Sequence, residues 1–334
     1  MAKRNYGKKR RNTRRKKQNG KLGGIVTALV CIAVILVLLV SGGQGSEFFS
    51  QIENALRQSF TPTDVQDKMN IETLVSLPEN SGKLILFVVD TGNSDCIVIR
   101  EPGGQTLLVD AADQDDFSHI SNVLSVLQAE TLTAALATHP DADHIGSMDD
   151  VIERHTPEVF YMTSFPKDTK TYTDMLAQLE QNNVAVVTGV AGMEFSLGQA
   201  RITFLNPQDK DYDSANESSI VFLMEYGDTK FLLTGDIEDG ALGDILTLYP
   251  ELLDVDVLKI GHHGSAASTS QELIDLTTPE IAFITTGEDN DYGHPHSETV
   301  EILDANSVTT LRTDLLGDIV IFSDGQQITY KTAA

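Results

Sequence analysis

The chain has 334 residues, 41% of them hydrophobic, enough to bury a sizeable core in one large domain or two medium ones. Its formal charge of −25 hides a division: residues 1–22 carry eleven Lys/Arg and no acid, and the rest carries 13 Lys/Arg against all 49 Asp/Glu, a formal −36. Such a body repels polyanions and lacks cations to displace their counterions, which disfavours a charge-driven grip on long nucleic acid, and two distant cysteines exclude a cysteine-built zinc cluster and are poor candidates for a disulfide.

In chain order, the basic run "KRNYGKKRRNTRRKKQNGK" (a tail, residues 1–21) precedes "LGGIVTALVCIAVILVLLV", residues 22–40, which holds no charge. At 1.5 Å per residue that stretch covers the roughly 30 Å hydrocarbon layer, so it is predicted to be a transmembrane helix. The positive-inside rule keeps the basic tail in the cytoplasm and sends the acidic body across a cell membrane as a single-pass protein. A cleaved signal peptide, giving a secreted body, is the rival, since "VSGGQGS" offers small residues after the apolar stretch. Residues 41–82 read as a linker that contains a short amphipathic helix at 47–60 and a connector at 74–83.

From residue 83 to the end the pattern is that of one α/β domain. The apolar runs "LILFVVD", "CIVIR", "TLLVDA", "LTAALATH", "EVFYMT", "VAVVTGV", "ARITFLN", "SIVFLMEY", "KFLLTGD", "DVLKIGHH", "IAFITTG" and "DIVIFSD" are predicted strands. Helical spacing falls at 118–128, 147–155, 171–182, 237–249, 270–276 and 297–305. Paired strands interrupted by helices predict two mixed sheets with helices outside. Polar clusters recur at the strand ends: "VDAAD", "THPDADH", "LLTGD" and "KIGHH". In a layered α/β fold such ends meet in one crevice.

"HPDADH" packs His139, Asp141, Asp143 and His144 into six positions. Imidazole nitrogen and carboxylate oxygen suit zinc, manganese or iron, and side chains of one loop that point in different directions can serve two neighbouring metals. Asp236 after one strand is placed to bridge them, and His262 and His263 after another add imidazoles. Each element alone is an ordinary polar strand end; the three together point to a metal centre.

These blocks resemble the metallo-β-lactamase superfamily, and within it the soluble hydrolase domain of ComEC-type DNA-uptake (competence) proteins. The likeness is carried by "HPDADHIGS", "NESSIVFLMEYGDTKFLLTGDIE", "LKIGHHGS" and "GHPHSETVEIL", in that order across residues 83–323. It implies an αββα sandwich and one or two divalent ions, zinc or manganese. His139 and Asp141 would help hold one metal, Asp143 and His144 the other, with Asp236 shared. His263 would be the late ligand, with His262 the alternative. Asp110 matches an early aspartate that orients the loop from behind, and Asp143 would also orient the attacking water. A metal lowers the pKa of water from about 15.7 towards about 7, so no serine or cysteine nucleophile is required.

The departures from the family matter. Many relatives have histidine where Asp141 stands and another in the middle block, where this chain has Asn216, Ser218 and Ser219. The first metal position is therefore expected to be harder in ligand character, weaker or empty, which shifts the expectation towards manganese. An early Gly-Gln-Gly-Asp block appears as "GNSD", residues 92–95, which leaves the substrate-side loop open. Asn216, Ser219 and His294 are candidate substrate contacts and His296 a candidate catalytic group. Asp90 and Asp95 are candidates for shaping the first loop, and His119 and His155 read as surface histidines.

The expected protein is a membrane-anchored, outward-facing metal-dependent hydrolase, with a phosphodiester favoured as substrate. Nucleic acid is disfavoured as a long polymer by the acidic body. Hydrolysis of an ester, lactone or amide uses the same activated water, and a surface binding module with a vestigial metal site is the reading from another class.

Overall fold

The structure, a computed structural model, describes residues 70–333. The predicted tail, transmembrane helix and amphipathic helix at 47–60 lie outside the described residues. No helix among the described residues is long and apolar enough to cross a membrane.

The elements follow in the order α1 (Ile71–Ser76), β1 (Leu84–Val88), β2 (Ile97–Arg100), β3 (Thr106–Val109), α2 (Phe117–Val126), β4 (Leu132–Ala137), α3 (Ala142–Ile145), α4 (Met148–Arg154) and β5 (Pro157–Met162). Then come α5 (Lys170–Gln181), β6 (Ala185–Thr188), β7 (Glu194–Leu197), β8 (Ala200–Asn206), β9 (Val221–Tyr226), β10 (Thr229–Leu233), α6 (Asp239–Leu248), β11 (Val257–Lys259) and α7 (Gln271–Thr277). The chain closes with β12 (Ile281–Ile284), α8 (Ser297–Ala305), β13 (Thr309–Arg312), α9 (Thr313–Leu316), β14 (Asp318–Ser323) and β15 (Ile328–Ala333).

One sheet has the order β15-β14-β1-β2-β3-β4-β5-β6, and the other β13-β12-β11-β10-β9-β8-β7. Both are mixed, as expected. β3 to β6 are parallel in the first, and β10 to β13 in the second. Parallel neighbours need crossovers, which the helices supply, and this puts helices on the outer faces.

Side chains alternate across each strand, so each sheet has two apolar faces. On β1, Leu84, Leu86 and Val88 pack between the sheets, while Ile85 and Phe87 face the helices. On β9, Phe222 and Met224 point inward, and Val221 and Leu223 pack under the second helical layer. The result is three apolar layers in an αββα sandwich. Phe87 is fully buried, and truncating such a ring to alanine costs about 3–5 kcal/mol.

Several local readings change. Residues 71–76, in the stretch read as linker, form α1, capped by Asn70 accepting from the Glu72 N–H, and bury Ile71 and Leu74 in the outer core. β7, β13 and β15 were not expected from the sequence. β7 and β13 bury one residue each, and β15 runs along a sheet edge. His155 is buried rather than on the surface, with Nε2 3.0 Å from Ser121 Oγ, and His119 pairs with Asp318 at 3.1 Å.

Candidate metal centre

The sandwich brings together the carboxyl ends of parallel strands from both sheets. Asp110 follows β3, the HPDADH loop follows β4, Asp236 follows β10, and His262 and His263 follow β11. These are the ends at which layered α/β sheets open a crevice. The crevice is a cavity of about 230 Å³ lined by Asn93, His139, Asp141, Asp143, Asn216, Asp236, His262, His263, Tyr292 and His294.

The loop after β4 is clamped to its neighbours by backbone hydrogen bonds. Ala111 N–H donates to His144 O at 2.7 Å, Gly146 N–H to Ala112 O at 2.6 Å, and Asp95 N–H to Asp143 O at 3.1 Å. A Cβ on Gly146 would sit 2.5 Å from the backbone of Asp113 and Gln114, so only glycine permits this approach. Asp110, His262 and His263 hold left-handed backbone, at φ 59°, 46° and 52°. Left-handed non-glycine residues cost of order 1–3 kcal/mol each and cluster where geometry serves function.

Four donors converge in the depth of the crevice. One ligand atom from each of Asp143, His144, Asp236 and His263 lies within 4.8 Å of the others. His144 Nε2 is 3.2 Å from Asp236 Oδ2, and His263 Nε2 is 3.5 Å from the same oxygen and 3.4 Å from Asp143 Oδ2. Both Nε2 atoms are buried without a hydrogen-bond partner, as is Asp236 Oδ1. An unsatisfied buried polar atom costs about 1–3 kcal/mol, and a cation bound by these donors would satisfy both imidazoles. The residues fit a divalent metal.

The opposite ring nitrogens are fixed from behind. His144 Nδ1 donates to Asp110 Oδ2 at 2.8 Å, and His263 Nδ1 donates to the Thr285 carbonyl at 2.9 Å. Asp110 is itself pinned by Thr138, whose N–H and hydroxyl each donate to it at 2.7 Å. Such partners fix the tautomer and turn the Nε2 lone pair into the crevice.

Electrostatics reinforce this arrangement. Burial alone would raise the Asp236 carboxyl, but the charges of His144, His263 and Lys259 outweigh it and hold Asp236 well below the usual range. Burial also works to raise Asp143, but the His263 imidazole 3.4 Å away and the His144 charge bring it down to about 2. His144 is pushed the other way: burial lowers it, and Asp236 and Asp110 raise it well above 6.5. A cation entering the centre must displace that proton. His139 is lowered to about 3 by burial and by the His144 charge, so it is neutral.

The remaining candidates divide. His139 is buried on the wall, its ring 4.1 Å from that of His144. Asp141 reaches the cavity but is paired with Lys167. His262 reaches Asp236 at 3.9 Å, and its Nδ1 is held by Glu238 at 2.9 Å. Asn216 lies on the wall, within 3.5 Å of Glu238 and His262. Ser219 does not line the cavity; it lies behind it, accepting the Asp236 N–H at 3.1 Å. His294 lines the mouth, lowered to about 4 by burial and then by its histidine neighbours. The structure does not bring His296 into the lining: its Nδ1 accepts the Ala266 N–H at 3.0 Å, and its ring backs His294 at 4.8 Å.

Sequence reasoning missed Lys259, and weighed Asp95 without giving it a partner. Lys259 alternates with Leu258, so it shares the inward side with Val257 and is buried at the end of β11. Its Nζ is 2.7 Å from Asp95 Oδ2 and 3.9 Å from Asp236 Oδ1. Burial alone would neutralise it, but Asp95 and Asp236 raise its pKa and keep it charged. Asp95 also accepts from the Thr285 hydroxyl and lies 3.6 Å from His263 Nδ1. A lysine inside the apolar run "DVLKIG" was the available signal.

Comparison with known proteins gives a match to the Metallo-beta-lactamase superfamily over residues 89–288. The chain is 35% identical over 194 residues to ComE operon protein 3 of Bacillus subtilis, covering 56% of this chain and 24% of that one. It is 27% identical over 277 residues to Recombination protein 2 of Haemophilus influenzae, covering 81% and 31%. The chain thus spans less than a third of the length of these curated relatives. Among solved structures it is similar to the metallo-beta-lactamase fold protein YhfI from Bacillus subtilis, with 12% identity and a TM-score of 0.46 over 69% of this chain and 95% of that one.

Proposed function

The chain belongs to the metallo-beta-lactamase superfamily and is a metal-dependent hydrolase of it, and we propose that its substrate is a phosphodiester. The observation that carries hydrolysis is the convergence of Asp143, His144, Asp236 and His263 with two buried imidazole nitrogens left unpaired. Likeness to proteins named for competence and recombination favours phosphorus over a carbonyl carbon as the centre attacked.

In this reading those four residues hold the cation. When bound, the cation supplies a water of pKa near about 7 and absorbs charge on the phosphoryl oxygens. The chain's own groups do the rest. Asp143, ionised far below neutral pH, accepts a hydrogen bond from the attacking water and orients it, but is too weak a base to retain the proton. Asp110 and the Thr285 carbonyl keep the two imidazoles aimed. His294, neutral at pH 7, offers an N–H to a phosphoryl oxygen at the mouth, and His296 backs its ring. Asn216 adds an amide on the wall beside His262.

The −36 body narrows the substrate to a small phosphodiester or a short strand, since few cations are present to hold a long backbone. Residues 22–40 anchor the protein in the cell membrane in this proposal, with the acidic body outside. The test is a substrate panel of phosphodiesters, esters, lactones and a β-lactam, run on the full-length protein with zinc, manganese and no metal. Phosphodiester cleavage that needs metal and disappears in Asp143→Ala is the expected result. Cleavage of carbonyl substrates alone would replace this reading.

A further inference from the structure

Of the acidic donors that a second cation would use beside His139, Asp141 is paired directly with an ammonium group and Asp236 has one at longer range. Lys167 Nζ lies 2.7 Å from Asp141 Oδ1. Lys259 Nζ stands 3.9 Å from Asp236 Oδ1, while the other oxygen of that carboxylate faces His144 and His263. The middle block gives no further imidazole. Ser219 stands there, its hydroxyl accepting the Asp236 N–H at 3.1 Å and lying 3.4 Å from His139 Nδ1.

Among the described residues, the clusters of three or more donors lying within 4.8 Å of one another are Asp143/His144/Asp236/His263 and Asp95/Asp110/His144. Neither takes in His139 or Asp141. The second cluster has Lys259 on Asp95 and the Thr138 donors on Asp110, so its carboxylates are already satisfied. One well-furnished position therefore remains.

We propose that the centre binds one divalent cation tightly, and that Lys167 keeps the Asp141 side closed to a second. The ammonium supplies there the positive charge a second metal would bring. The Lys167–Asp141 pair is about a third exposed at each end (32% and 31%), so by itself it is a modest interaction. It suffices because His139 and Asp141 form a thin ligand set, without the further imidazoles that would outbid the lysine. Lys167 is thus a positioning residue acting through Asp141, and this rests on the metal reading given above.

The experiment is metal content after equilibrium dialysis of the full-length protein against manganese, read with the electron paramagnetic resonance spectrum of the bound ions. Wild type is expected to retain about one equivalent with an isolated six-line signal, and Lys167→Met about two with the signal of a coupled pair. Lys167→Arg, which keeps the charge, is expected to stay at about one. Asp141→Asn is expected to keep the single ion and decides the matter if Lys167→Met does not fold. Two tightly held ions in wild type, no gain in a folded Lys167→Met, or loss of the ion in Asp141→Asn would each overturn the proposal. Retention of no ion by wild type would instead overturn the metal reading on which it rests.

Discussion

The depth and the mouth of the crevice are both rich in histidine, yet they are built differently. In the depth, His144 and His263 are buried, and each has one ring nitrogen tied to a named partner, Asp110 Oδ2 or the Thr285 carbonyl. At the mouth His262 and His296 each have Nδ1 tied, to Glu238 and to the Ala266 N–H, but His294 Nδ1 has no hydrogen-bond partner, and its ring lies 5.4 Å from His262, 4.8 Å from His296 and 5.7 Å from Tyr292. Tyr292 is 70% exposed. The depth is pre-organised for a small hard object whose geometry cannot vary. The mouth presents the untied His294 ring and the exposed Tyr292 to a larger and more variable one. Variants in the depth should therefore change metal content and stability, and variants at the mouth should change apparent substrate affinity alone.

The largest expected effect is that of His263→Ala. Removing one of four donors should abolish tight metal retention and lower kcat/KM for the best phosphodiester on the order of 10⁴-fold, roughly 5 kcal/mol. Metal analysis and steady-state kinetics read both, and near-normal turnover would remove His263 from the centre.

Next is Lys259→Met. It leaves Asp95 buried without its cation, and breaking a buried pair on one side costs about 3–5 kcal/mol. Chemical denaturation of the full-length protein, followed by circular dichroism, measures this. A cost below about 1 kcal/mol would mean that the pair is of the weak surface kind.

At the mouth, His294→Ala should leave metal content and folding intact and raise KM up to about 10-fold, the worth of one hydrogen bond to substrate. Loss of metal in this variant would erase the distinction between depth and mouth.

The smallest effect lies outside the crevice. The Asp318 hydrogen bond raises the His119 pKa above its ordinary value of 6.5 against the opposing pull of partial burial. A raised folded-state pKa gives stability that is fully present below the unfolded value and is lost as pH rises through the folded one. The stability advantage of wild type over His119→Gln should thus shrink from pH 5.5 to pH 8.5, as read from urea midpoints. An advantage that grows with pH would contradict the pairing.

The central strands were legible because residues buried on both sides read as unbroken apolar runs, as in "LILFV" of β1 and "IAFI" of β12. The strands that escaped lie at or near a sheet edge. "EFSL" of β7 is largely exposed, and "TTLR" of β13 buries only Leu311, so neither carries an apolar signature. The metal-binding candidates were legible because HPDADH concentrates donors locally. What connects them was not. Lys259 meets Asp95 across 164 positions of chain and Lys167 meets Asp141 across 26, pairings that depend on sheet order and loop direction rather than on local pattern. His296 shows the converse, since it read as a candidate catalytic group, while the start of α8 turns it towards Ala266.

The tight passage at Gly146 bears on how this protein tolerates change. An alanine there would wedge apart two backbones that hold the donor loop in place, and so would tilt His144 without touching any reactant. A library made to retarget the enzyme should leave position 146 invariant and spend its diversity on the exposed residues 288, 289, 291 and 292, sparing Asn290, which ties Thr286 and Gly287 to His294.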